Sequence, residues 1–167
     1  MAVLLNQTSN LRVRIELVRR LSDGLRAPAS LEMRVSVDRY LHDRHDFAPL
    51  LEVPKATLLD MDLIQFLQAL EELLDGKLEL AALEATVDPA IGLRFIGGPE
   101  AFLVEVGIDL LNVLEPLGGV SGERGADLAL YRFVSNQKAV VSFCAALIDE
   151  FAKFPTDPAR VTPGEPA

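Results

Sequence analysis

Two segments near the start of the chain, LRVRIELVRR from Leu11 and LEMRVSVDRY from Leu31, alternate apolar and polar residues almost without a break. A period of two is the side-chain period of a β-strand with one buried face, and an amphipathic helix cannot reproduce it. Leu11, Val13, Ile15 and Leu17 share one face of the first strand; Leu31, Met33, Val35 and Val37 share one face of the second. If the two strands pair antiparallel with partner numbers summing to 50, both apolar sets stay on one side and Arg12 falls opposite Asp38 and Glu16 opposite Arg34. Arg14 is then left outward and unpaired. The intervening stretch Leu21 to Ser30, with Gly24 and Pro28, reads as a loop.

After the polar segment HDRHDFAPLLEVPKA, helical spacing takes over. A helix is predicted to start near Thr57 or Asp60, either of which can cap free backbone N–H groups. Leu63, Phe66, Leu67, Leu70 and Leu74 form its apolar stripe, Gln65, Gln68, Glu71, Glu72 and Asp75 its polar side, and Gly76 its left-handed C-terminal cap. Short strands follow. Leu78, Leu80 and Ala82 alternate, then Ile91, Leu93 and Phe95 after a turn at Asp88-Pro89. A four-residue loop at Gly97-Gly98-Pro99-Glu100 leads back through Phe102, Val104, Val106 and Ile108, with Phe95 facing Phe102.

Gly118, Gly119, Gly122 and Gly125 mark a long loop before a last strand, Asp127 to Val134. Ser135 or Asn136 then caps a closing helix with the stripe Val140, Phe143, Cys144, Leu147, Ile148 and Phe151, ending near Phe154-Pro155. No internal repeat is evident. The order ββαββββα predicts an α+β domain over residues 1–154, a mainly antiparallel sheet of about six strands with two amphipathic helices packed on one face. Residues 155–167, rich in proline, read as an extended or disordered tail.

Charge narrows the function classes. The chain of 167 residues carries a net charge of −9, yet residues 1–40 hold seven arginines against four acids. The acidic character therefore belongs to everything after the first two strands. Such a balance argues against nucleic-acid binding, which phosphate neutralisation by Lys and Arg dominates, and favours a basic protein partner. Self-association stays open. The single cysteine, Cys144, rules out an internal disulfide, and a reducing cytoplasm is the expected home. No apolar run reaches the ~18 residues of a membrane span, and the start lacks the basic region of a signal peptide.

His42-Asp43-Arg44-His45-Asp46 holds both histidines of the chain. One helical turn would bring His42, His45 and Asp46 together as ligands for a divalent ion, the basis of an alternative reading as a metal-dependent hydrolase. A polar loop leaving a strand has the same composition. The segment Gly118 to Gly125 runs into a strand, not the helix that a phosphate loop requires, and no cofactor is implied. Cys144 sits on a buried stripe, where a thiolate is disfavoured. The carboxylate pairs Asp60/Asp62, Glu71/Glu72 and Asp149/Glu150 suit helix starts and solvent faces. Arg12, Arg14, Arg34 and Arg20 lie on the outward side of the first strands, where arginines can pair with a partner's carboxylates.

The element order, the strand ending at Val134 and the segment SNQKAVVSFCAALIDEF after it resemble small bacterial immunity proteins of the WapI type. The resemblance implies a cytoplasmic protein that neutralises a cognate toxin by occluding it. The leading reading is thus a non-enzymatic interaction module, an immunity or adaptor protein. Glu71, Glu72 and Asp75 form one candidate patch, Asp109, Glu115 and Glu123 another, with Arg14 and Arg34 as further partner-binding candidates.

Overall fold

The computed structural model describes residues 1–21, 29–86, 91–98, 101–109 and 128–155. Its elements are β1 (Ala2–Leu5), β2 (Leu11–Leu21), β3 (Ser30–Leu41), β4 (Asp46–Leu59), α1 (Asp60–Leu74), β5 (Leu80–Glu84), β6 (Ile91–Gly97), β7 (Ala101–Asp109), β8 (Leu128–Asn136) and α2 (Gln137–Ala152). The strands form two four-stranded antiparallel sheets, β1-β2-β3-β4 and β5-β6-β7-β8. The α+β class stands. The single sheet of six strands and the order ββαββββα do not.

Two strands account for the difference. β1 is only four residues, AVLL, too short to display alternation. β4 contains Pro49 and Pro54, and the register against β3 shifts between Met33 and Val35 and again between Val37 and Asp38. Proline is tolerated because β4 is an edge strand, where one row of backbone groups needs no partner. The bulges break the period that would have revealed the strand.

The architecture repeats: four meandering strands and a helix, twice. The helices are exchanged between halves, so that α1 packs mainly along β5 and α2 along β1. Leu63, Phe66, Leu67, Leu70 and Leu73 are buried in α1; Val140, Phe143, Cys144, Leu147 and Glu150 are buried at the same spacing in α2. The repeat lives in pattern, which is why residue identities conceal it. One continuous core joins both sheets and both helices. At its centre Phe95 of β6 lies 5.9 Å from Phe66 of α1 and 5.9 Å from Phe143 of α2, ring centre to ring centre.

Polar bonds tie the halves at their edges. The Gln7 backbone N–H donates to the Val134 carbonyl at 2.8 Å, and the Ser135 hydroxyl to the Leu5 carbonyl at 2.7 Å. Arg20 of β2 donates to Asp60 at the start of α1 (2.7 Å) and to the Phe154 carbonyl beyond α2. Ser135 is therefore an inter-sheet tether, while Asn136 caps α2 by accepting from the Ala139 N–H at 2.9 Å. At the start of α1 Leu59 is the capping residue and has no side-chain bond, and Thr57 lies within β4. Gly76 closes α1 as predicted: its φ is +72°, its N–H reaches the Leu73 carbonyl, and the Lys77 N–H reaches that of Glu72.

The register of β2 on β3 agrees with the sequence, including Arg12 opposite Asp38 and Glu16 opposite Arg34. Three local expectations fail. Phe95 faces Val104, and Phe102 pairs with Gly97. In β5, Ala81 and Leu83 point inward while Leu80 is exposed, the reverse of the predicted face. Ile148 is likewise exposed on α2. The predicted turns at Leu21 to Ser30, at Asp88-Pro89 and at Pro99-Glu100, the glycine-rich loop and the proline-rich tail fall wholly or mostly outside the described residues.

Candidate functional site

The outward face of the first sheet holds the arginines, and the structure engages them internally. Asp38 is fully buried, with Arg12 Nε at 2.7 Å from one carboxylate oxygen and Arg14 bound to both. Arg14 is thus paired diagonally across the ladder, where directly opposite partners alone had predicted it free. Burial by itself would raise the Asp38 pKa; hydrogen bonds from Arg12 and Arg14, and their charges, outweigh it and hold the carboxyl below its ordinary range. Arg19 binds Glu32 through Nε and Nη2 at 3.2 and 2.9 Å, and Arg34 meets Glu16 at 3.4 Å.

Arg14 and Arg34 do share one hollow, with Glu16, Ser36, Glu52 and Met1. Its volume is about 100 Å³. That admits a few waters at ~30 Å³ each and falls short of the ~300 Å³ at which small-molecule pockets begin. Two carboxylates face two guanidiniums there.

His42 and His45 sit in the exposed turn between β3 and β4. His45 adopts φ +51°, a left-handed turn conformation, and His42 packs edge-on against Tyr40 with ring centres 5.2 Å apart. Asp46 accepts from the Phe47 N–H at 2.7 Å. Among the described residues no group of three or more His, Cys, Asp or Glu side chains is poised around an ion. Next to this turn Phe47 stacks under Arg12, whose guanidinium carbon is 4.1 Å from the ring centre. Sequence reasoning missed Phe47 because β4 was not read as a strand. Arg39 near the end of β3 and Arg44 within the turn are exposed and make no ion pair with a described residue.

The acidic candidates on α1 fare differently. Glu71 and Glu72 are exposed and form no ion pair with a described residue; Asp75 is bound by Lys77 at 2.7 Å. α1 packs against α2, and of these acids Glu71 is near enough to Cys144 for its charge to be felt there. Burial first, and Glu71 second, push the Cys144 thiol pKa up, opposite to what a nucleophile needs. The two helix-start acids are tethers: Asp60 holds Arg20, and Asp62 accepts from the Thr86 N–H and hydroxyl at 3.0 and 2.7 Å. Asp109 closes β7, and Glu115 and Glu123 lie outside the described residues.

Among the described residues, exposed apolar side chains gather in two places, besides single ones such as Leu50 of β4 and Met61 of α1. On the outer face of the second sheet exposed Leu80, half-buried Ile96, and exposed Leu103 and Val134 stand directly opposite one another across all four strands. The adjoining row is charged but paired, Arg132 with Glu105 at 2.7 Å, and Arg94 with Glu84 at 2.9 Å. On α2, Val141, Ala145, Ile148 and Ala152 form an exposed stripe.

No helix among the described residues is long and apolar enough to cross a membrane. No protein-family model and no curated protein matches the sequence. Among solved structures the chain is similar to one in the CdiA-CT/CdiI toxin and immunity complex from Enterobacter cloacae. The identity is 14% and the TM-score 0.38, over 81% of this chain and 98% of that one.

Proposed function

We infer that this chain is a non-enzymatic interaction module that binds a basic protein partner through the exposed carboxylates of α1. The observation that supports this most is an imbalance of pairing. Arg12, Arg14, Arg19, Arg20 and Arg34 have internal carboxylate partners, with Arg39 and Arg44 at the β3–β4 turn the exceptions, whereas Glu71 and Glu72 stand at the surface with none among the described residues. An unpaired acidic surface on a chain of net charge −9 attracts positive partners and repels anionic ones. In its finer form the module is an immunity or adaptor protein that acts by covering a functional surface of its partner.

The test is capture from the source cell, at low and at high salt, with the unaltered chain and with the Glu71→Lys/Glu72→Lys variant. A basic protein retained by the unaltered chain, released by salt and absent from the variant supports the proposal. Failure to retain any basic protein at low salt contradicts it.

A further inference from the structure

The stripe on α2 has a spacing and a setting that point to one kind of occupant. Val141, Ala145, Ile148 and Ala152 recur at intervals of four, three and four, the pattern by which one helix presents a seam to another. All four are exposed, Val141 by 46% and Ile148 by 39%. The fold itself makes no demand for them. At the equivalent places of α1 stand Ile64, Gln68, Glu71 and Asp75, so the same position in the other half is mostly polar.

Alanine at two of the four positions leaves room for a second helix to approach closely, with axes 8–10 Å apart as in ordinary helix pairs. Charge selects which helix. α1 packs against α2, with the Glu71 carboxylate near enough to Cys144 for its charge to be felt there, and on the other flank of the stripe lies the exposed Asp149, about three turns along the helix from Lys138. Lys153, at the opposite, C-terminal end of α2, is bound to Glu150. Two copies of this chain meeting at the stripe would bring their own Glu71 and Asp149 carboxylates together, each copy carrying a net charge of −9. A helix with lysines or arginines beside its apolar seam meets carboxylates instead.

We propose that the outward face of α2, bordered by Glu71 of α1, receives one basic amphipathic helix of a partner protein. The proposal rests on the inference above that the partner is a basic protein, and adds where and in what form it docks.

The probe is a synthetic amphipathic helix of about three heptads with leucines at the seam and lysines beside them, compared with a counterpart carrying glutamates in place of the lysines. Binding to the full chain is read by fluorescence anisotropy, and helical content and melting of each variant by circular dichroism. The lysine peptide should bind and the glutamate peptide should not. Val141→Ser/Ile148→Ser should weaken binding at least about tenfold, as should Glu71→Lys, with folding unchanged because these residues are exposed. Leu103→Ser/Val134→Ser, on the outer face of the second sheet, should leave binding unchanged.

No binding of the lysine peptide, or equal binding by Val141→Ser/Ile148→Ser, overturns the proposal. A dimer in sedimentation equilibrium that dissolves in Val141→Ser/Ile148→Ser also overturns it, by assigning the face to a second copy. A basic partner lost from Glu71→Lys/Glu72→Lys but kept by Val141→Ser/Ile148→Ser overturns the α2 site alone. Failure to capture any basic partner removes the broader inference as well.

Discussion

Glu150 of α2 occupies the place that Leu73 occupies in α1, and both are buried. The other positions of the buried stripe match, apolar for apolar: Leu63, Phe66, Leu67 and Leu70 against Val140, Phe143, Cys144 and Leu147. The Glu150 carboxylate is bound by Lys153 and by the Met1 amine, and these hydrogen bonds hold its pKa below the ordinary range against the opposing effect of burial. Lys153 is itself well exposed and can return to water if its partner is removed.

The equivalence predicts unequal outcomes for reciprocal changes. Glu150→Leu should fold with stability within about 1 kcal/mol of the original, or above it, because apolar replacement of a partly buried ion pair is often neutral or favourable. Leu73→Glu should cost at least about 3 kcal/mol, since it puts a carboxylate in the apolar core where Leu73 is fully buried. Urea unfolding followed by circular dichroism measures both.

Asp38 is the most deeply buried carboxylate of the first sheet, and its loss leaves Arg12 and Arg14 without their shared partner. Both guanidiniums retain some contact with solvent, which moderates the cost. Asp38→Ala should destabilise by about 2–3 kcal/mol, and Arg12→Ala or Arg14→Ala by less, because Asp38 then keeps one arginine. Chemical denaturation resolves the difference.

The same cluster sets a pH dependence. The Asp38 pKa is lowered on folding from an ordinary value of 3.8. Its contribution to stability is therefore complete above the unfolded-state pKa and is lost as pH falls through the lower folded-state value. Stability should fall below about pH 4, and Asp38→Asn should flatten part of that slope. Thermal melts across pH 2–6 of the two proteins provide the comparison.

Gly76 ends α1 with a left-handed backbone, and nothing lies within 4 Å of where a Cβ would sit. The cost of substitution is thus conformational and not steric. Gly76→Ala should destabilise by about 1 kcal/mol and Gly76→Asn by less, because asparagine tolerates this region. The melting temperature reports it.

How much of this was legible in the sequence depends on whether a signal is local. The pairing of Arg12 with Asp38 was legible from alternation, which excludes a one-residue slip because it would turn Val13, Ile15, Val35 and Val37 outward, together with the opposite charges that this register sets face to face. Gly76 and Asn136 were readable because caps act within a few residues. β4 was not, because Pro49, Pro54 and two register shifts erase its period, and with it went the position of Phe47 beneath Arg12. The face of β5 was misassigned because Leu78 and Leu80 suggest an apolar face of their own, whereas Ala81 and Leu83 are the side chains buried in the strand that packs along α1. The diagonal reach of Arg14 to Asp38 needs side-chain length and burial, which a pattern of types does not contain. For the candidate site, Glu71 and Glu72 were visible as solvent-side acids, but that they have no ion-pair partner among the described residues while five arginines do is a property of three-dimensional arrangement.

The most direct measurement is the affinity of the captured basic partner, once purified, for the unaltered chain and for Glu71→Lys/Glu72→Lys, at about 50 mM and 500 mM salt. An acidic docking surface on α1 predicts at least about a tenfold loss, some 1.4 kcal/mol, on charge reversal. It also predicts a comparable loss on raising salt with the unaltered chain, and unchanged melting of the variant. Equal affinity of the two proteins at low salt would contradict it.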